Sequence, residues 1–352
     1  MLRAIARVPC WPGLQAGFEL QLTLARWLCD PATTPASVTE PRVRALHGHV
    51  AIQDWLWNFL HPRADLIRLL NAARSVASHA HLEKQRLLDW LSIVADVPAQ
   101  FQNHPPQWPA PPHDLPQWAA FKELMQAFYD KLDTKGLPFD SHGHPTPGTG
   151  VTYRQFVDEF KATHSDSVCV VCGDHLRGVQ VDHWIGKASY PVLSIVPDNL
   201  LPMCCECNES PGKGAQPVFI LGVAEAFQDW FHPHHRSGHG RVRPQYDPLK
   251  LGIVATALDP ADHERTSNLD KLVKLSERWT REFKAEYRNK QKELRQLFSA
   301  NHLAHTTHDV DAELQRSLVQ LVDDRPNCHV HRVLLECVRE PARLTAWVEE
   351  LA

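Results

Sequence analysis

Cys169-Val170-Val171-Cys172 and Cys204-Cys205-Glu206-Cys207-Asn208 bracket the stretch whose reading decides the fold. Between them run Gly178-Val179-Gln180-Val181-Asp182-His183, then Tyr190-Pro191-Val192-Leu193-Ser194-Ile195, then Pro197-Asp198-Asn199-Leu200-Leu201-Pro202. The chain has nine cysteines, and five of them fall inside this stretch. Two cysteines separated by two residues can turn both sulfurs onto one ion. Two such pairs complete a tetrahedral all-thiolate shell suited to Zn²⁺. Cys169, Cys172, Cys204 and Cys207 are therefore the expected ligands of a structural zinc. Buried free cysteines are the alternative, and they leave the doubled spacing unexplained. Gly173 follows the first pair, where a tight turn is needed. Cys205 is left over. The alternation around Gln180 predicts a strand that ends at Asp182-His183.

The order of these elements resembles the His-Asn-His (HNH) nuclease family, in a bacterial stand-alone subgroup. The likeness rests on Cys169-x-x-Cys172, Asp182-His183, Asn199-Leu200-Leu201-Pro202 and Cys204-x-x-Cys207-Asn208. The Tyr190-to-Ile195 phrase adds to it, and Phe231-His232-Pro233 and the helix around residues 265–283 are weaker similarities. The resemblance implies a ββα-metal fold, two strands and a helix around one catalytic Mg²⁺ or Mn²⁺. It implies His183 as general base, Asp182 and Asn208 as hard-oxygen ligands, and Asn199 as the loop tie that orients His183. Lys187 and Lys213 would contact phosphates. Two departures stand out. Asn208 replaces the last histidine of the family's name, and Gly186 stands where many members carry proline.

The rest of the chain reads as mostly helical. Seven prolines between Pro98 and Pro116, and a Pro/Gly-rich stretch over 136–150, mark linkers or long loops. Five regions follow: a helical accessory region (1–97), a proline-rich linker with one helix (98–150), the HNH module (151–216), a helical extension with a basic helix (217–300) and a helical tail (301–352). Apolar spacing predicts helices over 42–60, 65–95, 118–132, 153–164 and 218–231, with a strand at 252–258. Ser267 is the expected N-cap of a long helix reaching Phe298, with Asp270 three residues on. The fold class is α+β: a small zinc-stapled ββα-metal module within a mostly helical chain.

Lys plus Arg is 37 against 41 for Asp plus Glu, a net charge of −4. A chain-wide basic footprint for nucleic acid is thus excluded. Positive charge is local: residues 271–296 carry nine Lys or Arg and four Glu. Lys271, Lys274, Arg278 and Arg281 are the candidate phosphate contacts on this helix. Of 22 histidines, His183 carries the chemistry. The His232-Pro233-His234-His235 tract with His239 reads as an exposed loop. His302, His305 and His308 lack acidic or cysteine partners. Tryptophans such as Trp108, Trp118 and Trp279 read as core.

No apolar run suits a membrane span and no secretory signal is expected, so the cytoplasm is the expected location. The functional expectation is a metal-dependent endonuclease acting on nucleic acid, DNA rather than RNA. Its expected setting is anti-phage or mobile-element defence beside an ATPase or other defence-system partner. The alternative is a non-catalytic zinc module that binds nucleic acid or protein.

Overall fold

The computed structural model describes residues 5–63, 65–163, 168–176, 179–300, 306–322 and 325–351. His164, Gly178, His302 and His305, singled out above, lie outside the described residues. The amino-terminal helices are α1 (Trp11–Cys29), α2 (Glu40–Arg44), α3 (Val50–Leu60), α4 (Arg68–Ala77) and α5 (His81–Val94). Next come α6 (Trp118–Thr134) and α7 (Tyr153–Thr163). A central unit holds β1 (Gln180–His183), β2 (Leu200–Met203) and the single turn α8 (Cys205–Asn208). Then follow β3 (Val242–Asp247), β4 (Gly252–Ala257), α9 (His263–Val273), α10 (Leu275–Ala300), α11 (Thr307–Gln320), α12 (Cys328–Val338) and α13 (Pro341–Leu351). Helices dominate, and the two small sheets are antiparallel pairs, so the α+β class holds.

Several helices differ from expectation for local reasons. The 42–60 run divides at Gly48, and α3 restarts with the His49 ring accepting the Ala51 N–H. The 65–95 run divides at Ser78-His79-Ala80, where Glu83 turns back to accept the Ala80 N–H at 2.9 Å. Residues 218–231 form turns, not a helix. Glu225 and Gly222 adopt positive φ there, which no α-helix accommodates. Ser267 sits inside α9, which starts at His263. Lys274, at φ 55°, breaks the long helix in two. Asp270 then caps α10, accepting both the backbone N–H and the hydroxyl of Ser276 at 2.7 Å.

α1 and β3 carry no signal strong enough to be expected. In α1, Leu14, Phe18, Leu22, Ala25 and Cys29 are buried at four- or three-residue spacing. β3 pairs with β4 from Val242↔Ala257 to Asp247↔Gly252. The outer edge of β4 is completed by α10: Thr280 and Ser276 hydroxyls accept the Ile253 and Ala255 N–H groups at 2.8 Å.

The proline-rich stretches are packed loops. Trp108 is fully buried, and the Tyr190 hydroxyl donates to Pro109 O at 3.0 Å. Leu137 and Val151 exchange backbone bonds through Val151 O and Phe139 O. One core runs from α1 through the central unit into α12 and α13. A Cβ on Gly150 would lie 1.9 Å from Leu137 O and 2.4 Å from Phe139 O. Gly150→Ala should therefore cost about 3 kcal/mol by overpacking. Gly48, with open space around it, should accept alanine at little cost. Urea unfolding of the two variants tests the contrast.

Candidate metal centre and the Asp-His strand end

The four sulfurs of Cys169, Cys172, Cys204 and Cys207 all lie within 4.8 Å of one another, and all four residues are buried. Cys169 and Cys207 sulfurs are 3.9 Å apart, and those of Cys172 and Cys204 are 3.8 Å apart. A tetrahedron with about 2.3 Å metal–sulfur arms has edges of about 3.8 Å. These spacings fit an ion and exceed any disulfide. Two tight turns make the geometry. Gly173, at φ 78°, lets its N–H reach Cys169 O at 2.9 Å, and Cys207 N–H reaches Cys204 O at 3.0 Å. The group can hold a structural metal such as zinc. Cys205 points elsewhere and is half-buried.

Arg278 was expected to face a phosphate. Its guanidinium instead covers the sulfurs, 2.9 Å from Cys207, 3.3 Å from Cys172 and 3.5 Å from Cys204. Glu206 and Asp174 flank it at 3.2 and 3.7 Å. Hydrogen bonds from the Cys169, Cys172 and Cys207 sulfurs, with Arg278, hold the Cys204 thiol far below its usual range. Arg281 remains largely exposed and pairs with Glu206 at 2.8 Å. Lys271 and Lys274 are exposed.

β1 and β2 pair from Gln180↔Met203 to His183↔Leu200. Beyond the pair, Asn199 Oδ1 accepts the Ile185 N–H at 2.6 Å, and its Nδ2 donates to Ile185 O and Leu193 O at 3.0 Å. Asn199 is fully buried and ties the loop after β1 to the Leu193-Ser194 segment. The His183 ring meets Ser194 O at 2.9 Å through Nε2. A carbonyl only accepts, so Nε2 bears the proton of the neutral ring and Nδ1 keeps its lone pair. Burial, with the Lys187 charge second, pushes His183 down to about 3, so the ring is neutral near pH 7. Tyr129 of α6 meets the ring edge to face at 4.8 Å, and Lys187 lies over Tyr129 at 3.4 Å. Lys187 is thus half-buried.

Residues alternate along a strand, so Gln180 and Asp182 share one face of β1. Asn208 reaches that face, donating through Nδ2 to Gln180 Oε1 at 2.5 Å. Asp182 is only 7% exposed. Burial raises its carboxyl to about 6, against the pull of Lys213. Lys213 corrects another expectation: it is 2% exposed, closed off from any phosphate. Its ammonium lies 2.8 Å from Asp182 Oδ2 and donates to His183 O at 2.9 Å. For a divalent cation, the Asp182 carboxylate and the Asn208 amide oxygen are hard donors of the kind Mg²⁺ takes alongside water and substrate oxygens. The donor set fits, with Lys213 as a second cation on the same carboxylate. Among the described residues, the four cysteines form the one group of three or more His, Cys, Asp or Glu close enough to share an ion.

No protein-family model matches the chain, and no solved structure matches it. Protein ea31 of Escherichia phage lambda is similar, 31% identical over 81 residues. The match covers 23% of this chain and 25% of that protein. The chain thus matches about a quarter of the length of this curated relative.

The histidine tract is not an exposed loop. His232 is fully buried, His235 lies 3.1 Å from Asp198 Oδ2, and the His232 and His235 rings stack at 4.6 Å. Arg236 closes the turn by donating to the carbonyls of Phe227, Gln228 and Trp230. His232 also abuts Trp184, next to His183. Short i, i+2 and i, i+3 spacing gives no periodicity, so this packing had no sequence signal beyond the density of histidine.

Two outcomes follow. Arg278→Gln should speed zinc loss to a chelator about tenfold, and Arg281→Gln should leave it unchanged. A colorimetric zinc-release assay reads both. Burial lowers His232 and brings His234 down to about 4. Their unfolded forms take protons first, so stability is complete above about pH 6.5 and falls as pH drops toward 4. His234→Gln should flatten that decline in unfolding midpoints measured between pH 7 and 4.5.

Proposed function

We propose that the protein is a metal-dependent HNH-type endonuclease that hydrolyses phosphodiester bonds in DNA. One observation carries this reading. Asp182 and His183 end a strand beside the Asn208 turn, and the whole unit is stapled by four clustered cysteines. A binding module has no need for a carboxylate and an oriented imidazole side by side.

In this reading zinc is structural, held by Cys169, Cys172, Cys204 and Cys207. Asp182 and Asn208 would hold Mg²⁺ or Mn²⁺, which supplies charge stabilisation at the scissile phosphate when bound. The chain's own groups do the rest. Ser194 O fixes the His183 tautomer, and the Nδ1 lone pair draws a proton from the attacking water. Ser194 is in turn tied to α6 through its hydroxyl on Met125 O at 3.1 Å. Gln21 of α1 donates to the same carbonyl at 2.8 Å. The general base is therefore braced by the amino-terminal helices. Lys213 keeps Asp182 ionised and braces the carbonyl of His183. Anti-phage or mobile-element defence, with an ATPase partner, is the biological setting we assign on the family resemblance.

A second reading is supported by the burial of the pair. His183 is 7% exposed and the Asp182 charge is already met by Lys213. Both facts suit a non-catalytic zinc module. Incubation with supercoiled plasmid in Mg²⁺, Mn²⁺ or EDTA separates the two. The endonuclease reading expects metal-dependent nicking. It expects His183→Ala to lose that cutting by at least about 100-fold while zinc content and folding persist. Nicking that survives in the variant would refute His183 as the base. Cys204→Ser should lower both zinc content and thermal stability.

A further inference from the structure

From Arg281 onward, α10 presents a ridge of positive charge. At 100° per residue, Arg281, Lys284, Arg288, Lys292 and Arg295 fall within about 80° of arc. The acidic Glu282, Glu286 and Glu293 gather on a different flank, and the buried face carries Trp279, Phe283, Leu294 and Phe298. All five ridge residues are exposed. Arg281 pairs with Glu206, and Arg295 donates to Glu350 O. Lys284, Arg288 and Lys292 have no hydrogen bond or ion pair with any described residue. Like charges at i, i+4 destabilise an isolated helix, so Lys284-Arg288-Lys292 has a local cost with no partner in the fold to offset it.

We propose that this ridge docks the phosphate backbone of duplex DNA. It is about 21 Å long, enough to run beside about six phosphates of one strand. It starts at the cysteine centre, where Arg278 and Arg281 meet Cys207 and Glu206. Asn208 follows Cys207 directly, so DNA laid along the ridge leads to the Asp182 face of β1. The assignment replaces the sequence-derived contacts. Arg278 is committed to sulfur, and Lys271 and Lys274 precede the helix break. In a chain of net charge −4, a ridge also orients the duplex, because acidic surroundings repel it elsewhere. The proposal rests on the DNA-cleaving reading above, and its test is independent of cleavage.

The test is binding of a labelled 30-bp duplex in EDTA, read by fluorescence anisotropy across a salt series. The full chain is compared with the triple variant K284Q/R288Q/K292Q, whose helicity and zinc content are checked. The parent should bind with a salt slope steeper than the variant's by about 2.7, since each lost phosphate contact removes about 0.9. Affinity at ~0.1 M salt should fall at least about tenfold in the variant. Equal slopes and affinities would overturn the ridge as the docking surface. Parent binding to poly-glutamate as tight as to DNA would also overturn it, in favour of an acidic protein partner. A parent that cuts plasmid while the variant binds as well as the parent loses the ridge and keeps the nuclease. A parent that binds through the ridge and never cuts keeps the ridge and loses the nuclease.

Discussion

Four sulfurs brought to tetrahedral spacing are the constraint on which the rest of this molecule depends. Cys169 and Cys172 arrive on a turn before β1, and Cys204 and Cys207 on the turn after β2. Closing that square fixes the register of two strands of four residues each. A pair so short has no independent stability in water. The adjoining core finishes the task, with Leu200, Leu201 and Met203 buried on one side and α6 against the loop after β1. Arg278 then sets a positive charge on four groups that lose their protons when they bind an ion. It also ties α10, and through it β4, to the cysteine turns.

The candidate site was legible where chemistry is written in local spacing. The two CxxC pairs, the Asp182-His183 strand end and Asn199 are short-range patterns, and each has a defined position in the fold. The strand at Gly252 was legible from its β-branched content. What spacing could not show was the destination of long flexible cations. Lys213 and Arg278 lie in polar contexts that suit solvent or phosphate equally well. Only the fold brings one to a buried carboxylate and the other to three sulfurs. The missed α1 teaches the same lesson from the apolar side. Its helical pattern is interrupted by Gln21, which is buried because it donates to Met125 O from a residue far along the chain. Segment 218–231 failed in the opposite direction. Its apolar residues look periodic, but positive φ at Gly222 and Glu225 spends them on turns around Trp108.

The division into regions also reads differently in three dimensions. The amino-terminal helices are not a separate appendage. Gln21, Met125 and Tyr129 reach the Ser194–His183 pair, so helices α1 and α6 form the wall behind the imidazole. The histidine tract supplies another wall, through His232 against Trp184. A buried imidazole held on several sides is an orienting arrangement, whatever it acts on.

Lys213 has one more consequence. Its ammonium beside Asp182 makes the carboxylate's counter-ion part of the covalent chain. The protein can therefore fold around that buried negative charge in water poor in divalent ions, without waiting for a metal to arrive. Any cation that later reaches Asp182 meets a neutral pair, not a bare anion. Its residence there is then governed by what else comes with it, and a phosphate brings the missing negative charge. The arrangement makes ion and phosphate natural companions, each weakly held alone and both favoured together.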